Sequence, residues 1–367
     1  MEHSDSDNAT IGSATTSRRA FVRGLGLAGI GLGIGLPFRP ASSQAARARL
    51  VRNALWKERL IRDALWKEPI VGVEFGTSKF YAAVGEQVTD GLIKILAVAE
   101  ARYRVKNEPV YLTPTLRQLC TALYEAQEAS DVMIRRVHVA TLGPRSLAES
   151  NIRLLEDLGV EGGDVAFPVI PSAEAVLSSE EKHRGALMID LGGLQTGHIA
   201  YLNGEIRDYG SHRRGGIHVT EDLARQLQIP WARAEALKIE SGDALAARIA
   251  DADPMQKIIY VRLRAILIKT KRRLIANGVR LSEMRTGIHL TGGGSNQRGI
   301  VELVSEVFGL PARLALAKGF VWTDGIVESP QHSCAIGLLK LGAWRPHDDA
   351  NSRTWPNGRR YFGLVPA

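Results

Sequence analysis

The chain has few cysteines and only a short apolar run near its start, and each of these shortages excludes a class of protein. Its 367 residues include two cysteines, Cys120 and Cys334, on unrelated segments, so neither a disulfide framework nor a cysteine zinc site is possible. The nine histidines show no HExxH or similar spacing of metal ligands. The uncharged stretch Gly24–Leu36 rises about 20 Å as a helix, which is too short to cross a bilayer core.

The net charge of +8 raises the question of nucleic-acid binding. Residues 1–69 carry eleven Lys and Arg against six Asp and Glu, which leaves 36 against 33 for the rest of the chain. Positive and negative charges are therefore nearly equal in number over residues 70–367. The basic residues there are not interleaved with aromatic residues, as a base-stacking surface requires. We predict that no nucleic acid is a partner.

The first 48 residues differ in composition from those that follow. Residues 1–16 are small and polar, which is typical of disorder. Twin arginines in Ser17–Arg23, the apolar stretch after them and the triplet Ala46–Ala48 match a twin-arginine export signal. A flexible glycine-rich tail and a misassigned start codon are alternatives. We predict a disordered leader over residues 1–48.

Residues 50–68 contain an imperfect tandem decapeptide that begins at Leu50 and again at Leu60. Ten residues turn a helix by about 1000°, so the two copies face directions about 80° apart and their apolar residues form no single stripe. A linker helix over residues 49–69, ended by Pro69, is the interpretation that we favour. Binding of this helix to a membrane surface is the alternative.

Strands and helices alternate from Ile70 onward, which predicts an α/β architecture. A second block of strand, glycine turn and strand begins at Ala186, so we predict domains over residues 70–185 and 186–329, the second with a helical subdomain at about 231–286. Residues 343–367 are predicted to be a disordered tail because prolines and Gly358 break any helix there. The predicted strands are Ile70–Phe75, Phe80–Val84, Ile93–Val98, Val137–Ala140 and Ala186–Leu191, and the helices are Leu116–Ala129 and Ser146–Leu158.

Three glycine-rich turns follow predicted strands. Backbone N–H groups in such turns cradle phosphate oxygens, and a run of glycines lets the backbone approach a flat ligand closely. One such turn is weak evidence, but three in this order, two of them with a carboxylate at the strand end, predict a nucleotide site. Neither a Walker lysine motif nor a dinucleotide G-x-G-x-x-G is present. The turns lie at Val71–Lys79, Ile189–Thr196 and Gly287–Ser295.

At these turns the sequence resembles the actin/Hsp70/sugar-kinase superfamily, and within it the bacterial cell-division protein FtsA. The resemblance covers residues 70 to about 343. One long stretch resembles FtsA's G-G-x-x-x-T-x-D-I-A…A-E-x-I-K segment, and two others resemble its adenosine segment and its closing helix. These stretches are Tyr209–Ala224 with Pro230 and Ala234–Lys238, Leu290–Ser295 with Val307–Arg313, and Ile326–Pro330 with Ala335–Leu339.

The resemblance implies an actin-like (ribonuclease-H-like) α/β fold of two domains with an interdomain nucleotide cleft, and a closing helix at 330–342 that packs back on the first domain. It implies that the cleft binds ATP, with Mg²⁺ held through water by Glu74 and Asp190. The residues that it assigns to the nucleotide are Gly76, Thr77, Ser78, Lys79, Asp190, Gly192, Gly193, Thr196, Gly215, Gly216, Glu235, Lys238, Gly292, Gly293, Gly294 and Ser295.

Two departures from the FtsA pattern limit these expectations. Only 75 residues separate Gly76 from Asn151, which leaves no room for the subdomain inserted in FtsA's first domain, so we expect reduced self-association. In the second turn, Leu194, Gln195 and Gly197 stand where FtsA has Gly, Thr and Asp. We expect Leu194 to obstruct the phosphates and Gly197 to remove a carboxylate near the metal. We therefore expect weak ATP binding with little or no hydrolysis. A scaffold that has lost nucleotide binding entirely is the alternative.

The resemblance implies a scaffold that tethers the FtsZ ring to the cytoplasmic face of the inner membrane. It also implies that Arg262, Lys269 and Arg273, which line up within about 40° on one predicted helix, receive the acidic FtsZ tail. A solvated helix edge is the alternative for these three residues. We expect residues 1–48 to contact the inner-membrane lipids, with export as the alternative. A small-molecule kinase of the same superfamily and a PilM-like pilus-assembly adaptor are the alternative functions.

Overall fold

The computed structural model of this chain describes residues 69–76, 78–89, 91–102, 116–142, 145–245, 253–343, 352–354 and 360–362. The predicted leader, the decapeptide and Thr77 lie outside these residues. None of the helices among them is both long and apolar enough to cross a membrane.

The first β-sheet is built around a central strand, β1, whose residues Val71, Val73 and Phe75 are buried. Strands β1 to β3 form an antiparallel meander, and β4 and β5 continue the sheet parallel to β1. The strand order is β11-β3-β2-β1-β4-β5-β13-β12. The bounds are β1 Ile70–Phe75, β2 Lys79–Thr89, β3 Leu92–Arg102, β4 Arg136–Thr141, β5 Glu161–Ala166, β11 Phe320–Trp322, β12 Ser352–Thr354 and β13 Arg360–Phe362.

The second sheet repeats this topology. Its strands β6 to β8 form another antiparallel meander, and β9 and β10 continue parallel to β6. The order β10-β9-β6-β7-β8 therefore matches β5-β4-β1-β2-β3 strand for strand. The bounds are β6 Ala186–Leu191, β7 Thr196–Leu202, β8 Glu205–His212, β9 Ile288–Thr291 and β10 Ala312–Leu314.

Helices connect the strands at equivalent points in the two repeats. Between β4 and β5 the chain forms α2, and between β9 and β10 it forms α8. Within residues 116–166 of the described structure, α1, β4, α2 and β5 follow one another without an inserted subdomain, as the short spacing predicted. The bounds are α1 Leu116–Ser130, α2 Arg145–Glu156, α3 Val169–Val176, α4 Ser179–Arg184, α5 Gly216–Leu227, α6 Trp231–Ser241, α7 Pro254–Ala276, α8 Ile300–Phe308 and α9 Ser333–Ala343.

Helices α3 and α9 join the two sheets. One buried cluster contains Ile95 of the first sheet, Met188 of the second, Ala173 of α3 and Ile336 of α9, so both sheets share this core. The helices touch through their backbones, because a Cβ at Gly337 would overlap the carbonyl oxygen of Pro171. Helix α9 also packs on β1. This is the position expected for the closing helix.

Two segments of the structure differ from the predicted domain limits. Phe320–Trp322, predicted to belong to the second domain, pairs with β3 of the first sheet. In the predicted disordered tail, Arg360–Phe362 pairs with β5, and Ser352–Thr354 pairs with Arg360–Phe362. Prolines stop a helix here but do not prevent short edge strands, which aromatic residues favour.

Candidate functional site

A cavity of about 420 Å³ lies where turns from both sheets meet. The first turn follows β1, the second follows β6 and the third follows β9. All three predicted turns therefore converge on one site, together with α6. Of the predicted residues, those that line the cavity are Glu74, Gly76, Ser78, Lys79, Asp190, Gly192, Gly193, Gly216, Glu235, Lys238, Gly292, Gly293 and Gly294.

The first turn is tight and brings Lys79 to the cavity wall. A Cβ at Gly76 would lie 2.7 Å from the carbonyl oxygen of Lys79, so this close return of the chain requires glycine. The Lys79 ammonium donates to Glu100 Oε2 at 2.8 Å. Thr77, the remaining predicted residue of this turn, lies outside the described residues.

The second turn is held by the start of α5. Gly216 N and Ile217 N donate to the carbonyl oxygens of Gly192 and Gly193 at 3.0 and 2.9 Å. A Cβ at Gly215 would overlap the Gly193 carbonyl oxygen, so glycine allows the helix to approach. Thr196 is fully buried and donates to the Arg214 carbonyl oxygen at 2.8 Å. Gly215 and Thr196 thus hold the turn in place and do not line the cavity.

The third turn packs directly on the end of β6. Gly292 has φ +82°, and a Cβ there would overlap Asp190 Oδ1. A Cβ at Gly294 would lie 2.8 Å from the Leu191 carbonyl oxygen. Ser295 is buried and donates to the Gly292 carbonyl oxygen at 2.6 Å, so it stabilises the turn. A Cβ at Gly293 would meet open space, since this residue faces the cavity.

Lys238 organises the helical side of the cavity. Its ammonium donates to Glu235 Oε2 at 2.7 Å, Thr220 Oγ1 at 2.9 Å and the Gly216 carbonyl oxygen at 3.2 Å. All three protons are used, and burial lowers the pKa of Lys238. Lys238 therefore fixes Glu235 relative to α5. Apolar lining on this side comes from Trp231, Ile239 and Leu263, which sequence analysis missed.

Two carboxyl groups, Glu74 at the end of β1 and Asp190 at the end of β6, line the cavity floor. Burial, together with the Asp190 charge, raises the pKa of Glu74 to about 8, against a smaller opposing hydrogen bond from Cys334. Burial raises the pKa of Asp190 to about 6, although Ser172 Oγ donates to its Oδ2 at 3.2 Å. Burial and these two carboxylates also raise the pKa of the Cys334 thiol. Like charges this close favour a proton or a cation between them.

The carboxyl pair fits a cation that keeps most of its water. Glu74 Oε2 is buried and has no hydrogen-bond partner among the described residues. Those residues contain no group of three or more His, Cys, Asp or Glu side chains able to enclose a metal. Mg²⁺ commonly binds one or two carboxylates and retains several waters. The donors present therefore match Mg²⁺ held largely through water.

The two departures in the second turn have different structural outcomes. A Cβ at Gly197 would overlap Val169 Cγ1, so the first residue of α3 occupies the space that an aspartate there would need. Leu194 is absent from the cavity lining, which includes Gly192, Gly193 and Gln195 instead. The expected obstruction by Leu194 is therefore not seen. The packing of Val169 against Gly197 thus leaves no room for a carboxylate side chain at position 197.

The predicted partner residues lie on α7, beside its buried face. Arg262 forms an ion pair with Asp222, and Arg273 donates to the Ser211 carbonyl oxygen at 2.8 Å. Lys269 is exposed. Arg262 and Arg273 are thus already paired within the chain. They flank the buried face of α7, so their side chains reach neighbouring elements.

Comparisons with known proteins agree with this geometry. A family model for cell division protein FtsA matches residues 187–337. FtsA of Neisseria meningitidis serogroup B is 30% identical over 222 residues, which cover 56% of this chain and 53% of that protein. FtsA of Pseudomonas aeruginosa is 29% identical over 232 residues, which cover 58% of this chain and 55% of that protein. The chain spans about half the length of these relatives.

Solved structures share the fold at low sequence identity. EutJ, an ethanolamine utilization protein from Carboxydothermus hydrogenoformans, superposes with a TM-score of 0.54 and 17% identity, covering 74% of this chain and 89% of EutJ. MreB5 of Spiroplasma citri, bound to ADP, superposes with a TM-score of 0.54 and 18% identity, covering 75% of this chain and 96% of MreB5. A chain of the PilM–PilN type IV pilus biogenesis complex superposes with a TM-score of 0.54 and 15% identity, covering 75% of this chain and 99% of that chain.

The repeated sheets and their shared cleft define an actin-like α/β protein, which confirms the predicted fold class. Within that class the chain is similar to cell division protein FtsA, as the sequence resemblance predicted: the matched region includes the second and third turns, α5 to α8 and the start of α9.

Proposed function

We propose that this chain is an actin-like cell-division scaffold that binds ATP in its cleft and links the FtsZ ring to the cytoplasmic face of the inner membrane. One observation supports the ATP part: three glycine turns from two sheets converge on a cavity that also contains the two buried carboxyl groups of Glu74 and Asp190. The cell-division part rests on the similarity to FtsA.

In this proposal the first two turns hold the phosphates, and the third turn holds the adenosine. Glu235, fixed by Lys238, lies on the same helix as Trp231 and Ile239, so this side offers one carboxylate beside apolar surface for the nucleoside. A hydrated Mg²⁺ on Glu74 and Asp190 would supply positive charge to the phosphates. MreB5, which has this fold, was solved with ADP.

We predict nucleotide binding without useful turnover. Calorimetry with ATP and Mg²⁺ should give a dissociation constant between about 1 µM and 1 mM, equivalent to about −8 to −4 kcal/mol. Phosphate release should stay far below the roughly 1 s⁻¹ at the lower end of the usual enzyme range, because Val169 fills the place of a carboxylate beside Gly197. Steady turnover near that rate, with a small-molecule acceptor, would favour the kinase instead.

The variant Gly293→Val tests whether the nucleotide binds in this cavity. A side chain at position 293 enters open space, so the melting temperature should not change. The same side chain occupies the cavity, and ATP affinity should fall at least about tenfold. An unchanged affinity would place the nucleotide elsewhere.

The proposed partner surface is the solvent face of α7, opposite its buried face. Helix α7 has seven Lys and Arg and no Asp or Glu. At about 100° per residue, basic and apolar residues alternate along the face turned furthest from the core. Val261 and Ile275 are 64% and 54% exposed there. This face suits an acidic, partly apolar peptide such as the FtsZ tail. Its residues are Lys257, Val261, Arg264, Ile268, Arg272 and Ile275.

We predict that Arg264→Glu with Arg272→Glu weakens binding of an FtsZ tail peptide by about tenfold or more, chiefly through slower association. Fluorescence anisotropy at two salt concentrations would measure it, since screening should reduce the difference. Arg117→Glu with Arg153→Glu, exposed on helices of the first sheet, gives the same charge change as a control. If both double variants bind alike, α7 is not the docking surface.

The membrane part of the proposal assigns the lipid contact to residues 1–48, which lie outside the described structure. Self-association is proposed to be weaker than in FtsA because residues 116–166 lack the inserted subdomain.

A further inference from the structure

A carboxylate stands between two cations at the wall of the cleft. Lys79 begins β2 and Arg102 ends β3, and the two residues are directly opposite each other in the antiparallel pair. Glu100 lies two residues before Arg102, on the same face of the sheet. Lys79 Nζ is 2.8 Å from Glu100 Oε2, and Arg102 Nε is 3.4 Å from Glu100 Oε1. One carboxylate thus pairs with a cation from each strand.

Both cations line the cavity, which makes this ion pair part of the site. The Lys79 side chain is 16% exposed and that of Glu100 is 32% exposed, so their attraction is screened less than at an open surface. Burial raises the pKa of Glu100, but its bonds to Lys79 and Arg102 outweigh this and hold the pKa below its usual value. Glu100 is therefore charged at neutral pH.

We propose that Glu100 is a specificity-determining residue that competes with the anionic end of the ligand for Lys79 and Arg102. This inference rests on the proposed function, because it concerns the same cleft. A polyphosphate that enters the first turn must share or replace the Glu100 carboxylate. Glu100 thus lowers affinity more as the negative charge of the ligand increases, so it disfavours polyphosphates most and an uncharged nucleoside least.

A purely structural role for the Glu100 ion pairs predicts a different effect on anion binding. If Glu100 served only to join β2 and β3, its neutralisation would lower stability and leave anion binding unchanged. The variant Glu100→Gln separates these roles, since it keeps the shape and hydrogen-bonding ability of the side chain and removes only the charge.

The experiment measures binding of tripolyphosphate, ATP, ADP and adenosine to the full chain by calorimetry. We expect Glu100→Gln to bind tripolyphosphate and ATP about tenfold more tightly than the unaltered chain, ADP with a smaller gain, and adenosine equally. The gain should shrink in high salt and also when Lys79→Met is added, because only Arg102 then remains for the ligand. Glu161→Gln, which removes a carboxylate from the first sheet away from the cavity, should change nothing.

The outcomes separate this inference from the proposed function. If the unaltered chain binds ATP and Glu100→Gln gives no gain, or an equal gain for adenosine, the inference is wrong and the ATP site stands. If Glu100→Gln binds tripolyphosphate tightly while no protein binds ATP, Glu100 acts as inferred and the ATP proposal is wrong. If neither protein binds any polyphosphate, both are wrong.

Discussion

Replacing Gly337 by alanine should destabilise the protein by about 3 kcal/mol or more, a large effect for one methyl group. The new Cβ would overlap the backbone oxygen of Pro171, and neither α3 nor α9 can yield without separating the two sheets that share their core. A domain of this size should lose roughly 5–10 °C in melting temperature. Differential scanning calorimetry would measure the shift.

The matched control is Gly216→Ala. This residue also lies in a helix, and its Cβ would be 3.6 Å from Lys238 Nζ, an ordinary contact. Its melting temperature should stay the same or rise slightly, because alanine favours a helix more than glycine does. An equal loss in both variants would show that the contact between α3 and α9 has no special role.

As the pH rises from about 5 to about 8, the unfolding free energy of the unaltered chain should fall relative to that of Glu74→Gln. The folded pKa of Glu74 is about 8, against 4.5 for the free side chain. Between these values the folded chain holds a proton that the unfolded chain has lost, so rising pH favours unfolding. Each pKa unit is worth about 1.4 kcal/mol, and partial relaxation of the surroundings of the charged carboxylate reduces the effect, so we expect a difference of about 2–4 kcal/mol.

Urea unfolding at pH 5, 6.5 and 8.5 would measure this dependence. Both proteins should have similar stability at pH 5, where Glu74 is protonated, and Glu74→Gln should be the more stable at pH 8.5. Glu161→Gln, at an exposed carboxylate, should keep the slope of the unaltered chain. Parallel curves for the unaltered chain and Glu74→Gln would mean that Glu74 titrates normally. Saturating Mg²⁺ with ATP should also flatten the slope if the carboxyl pair holds the cation.

Local pattern was sufficient to predict the central strands. Ile70–Phe75 and Ala186–Leu191 have the predicted bounds because short buried strands carry an apolar run that ends in a turn. Helix α3 was missed for the opposite reason: seven of its eight residues are buried, so no polar stripe reveals its period. The pairing of Phe320–Trp322 with β3 was also missed, since nothing local to a three-residue strand identifies a partner so far away in the chain.

The site was predicted at the level of turns but not of individual roles. Glycine runs identify where a backbone approaches a ligand, yet they do not separate residues that face the cavity from those that hold the turn. Thr196 and Ser295 were both predicted to contact the nucleotide, but both donate to backbone carbonyl oxygens within their own part of the site. Trp231 and Arg102 also line the cavity, but they lie far in sequence from the glycine turns, so no local pattern identifies them.

The pairing of Arg360–Phe362 with β5 also determines how this side of the first sheet meets other chains. A six-residue strand such as β5, left bare, is a template on which another polypeptide can add a strand. Here its partner comes from the same molecule, and the outermost strand becomes Ser352–Thr354, which has only three residues. Another chain that pairs with β5 must first displace Arg360–Phe362.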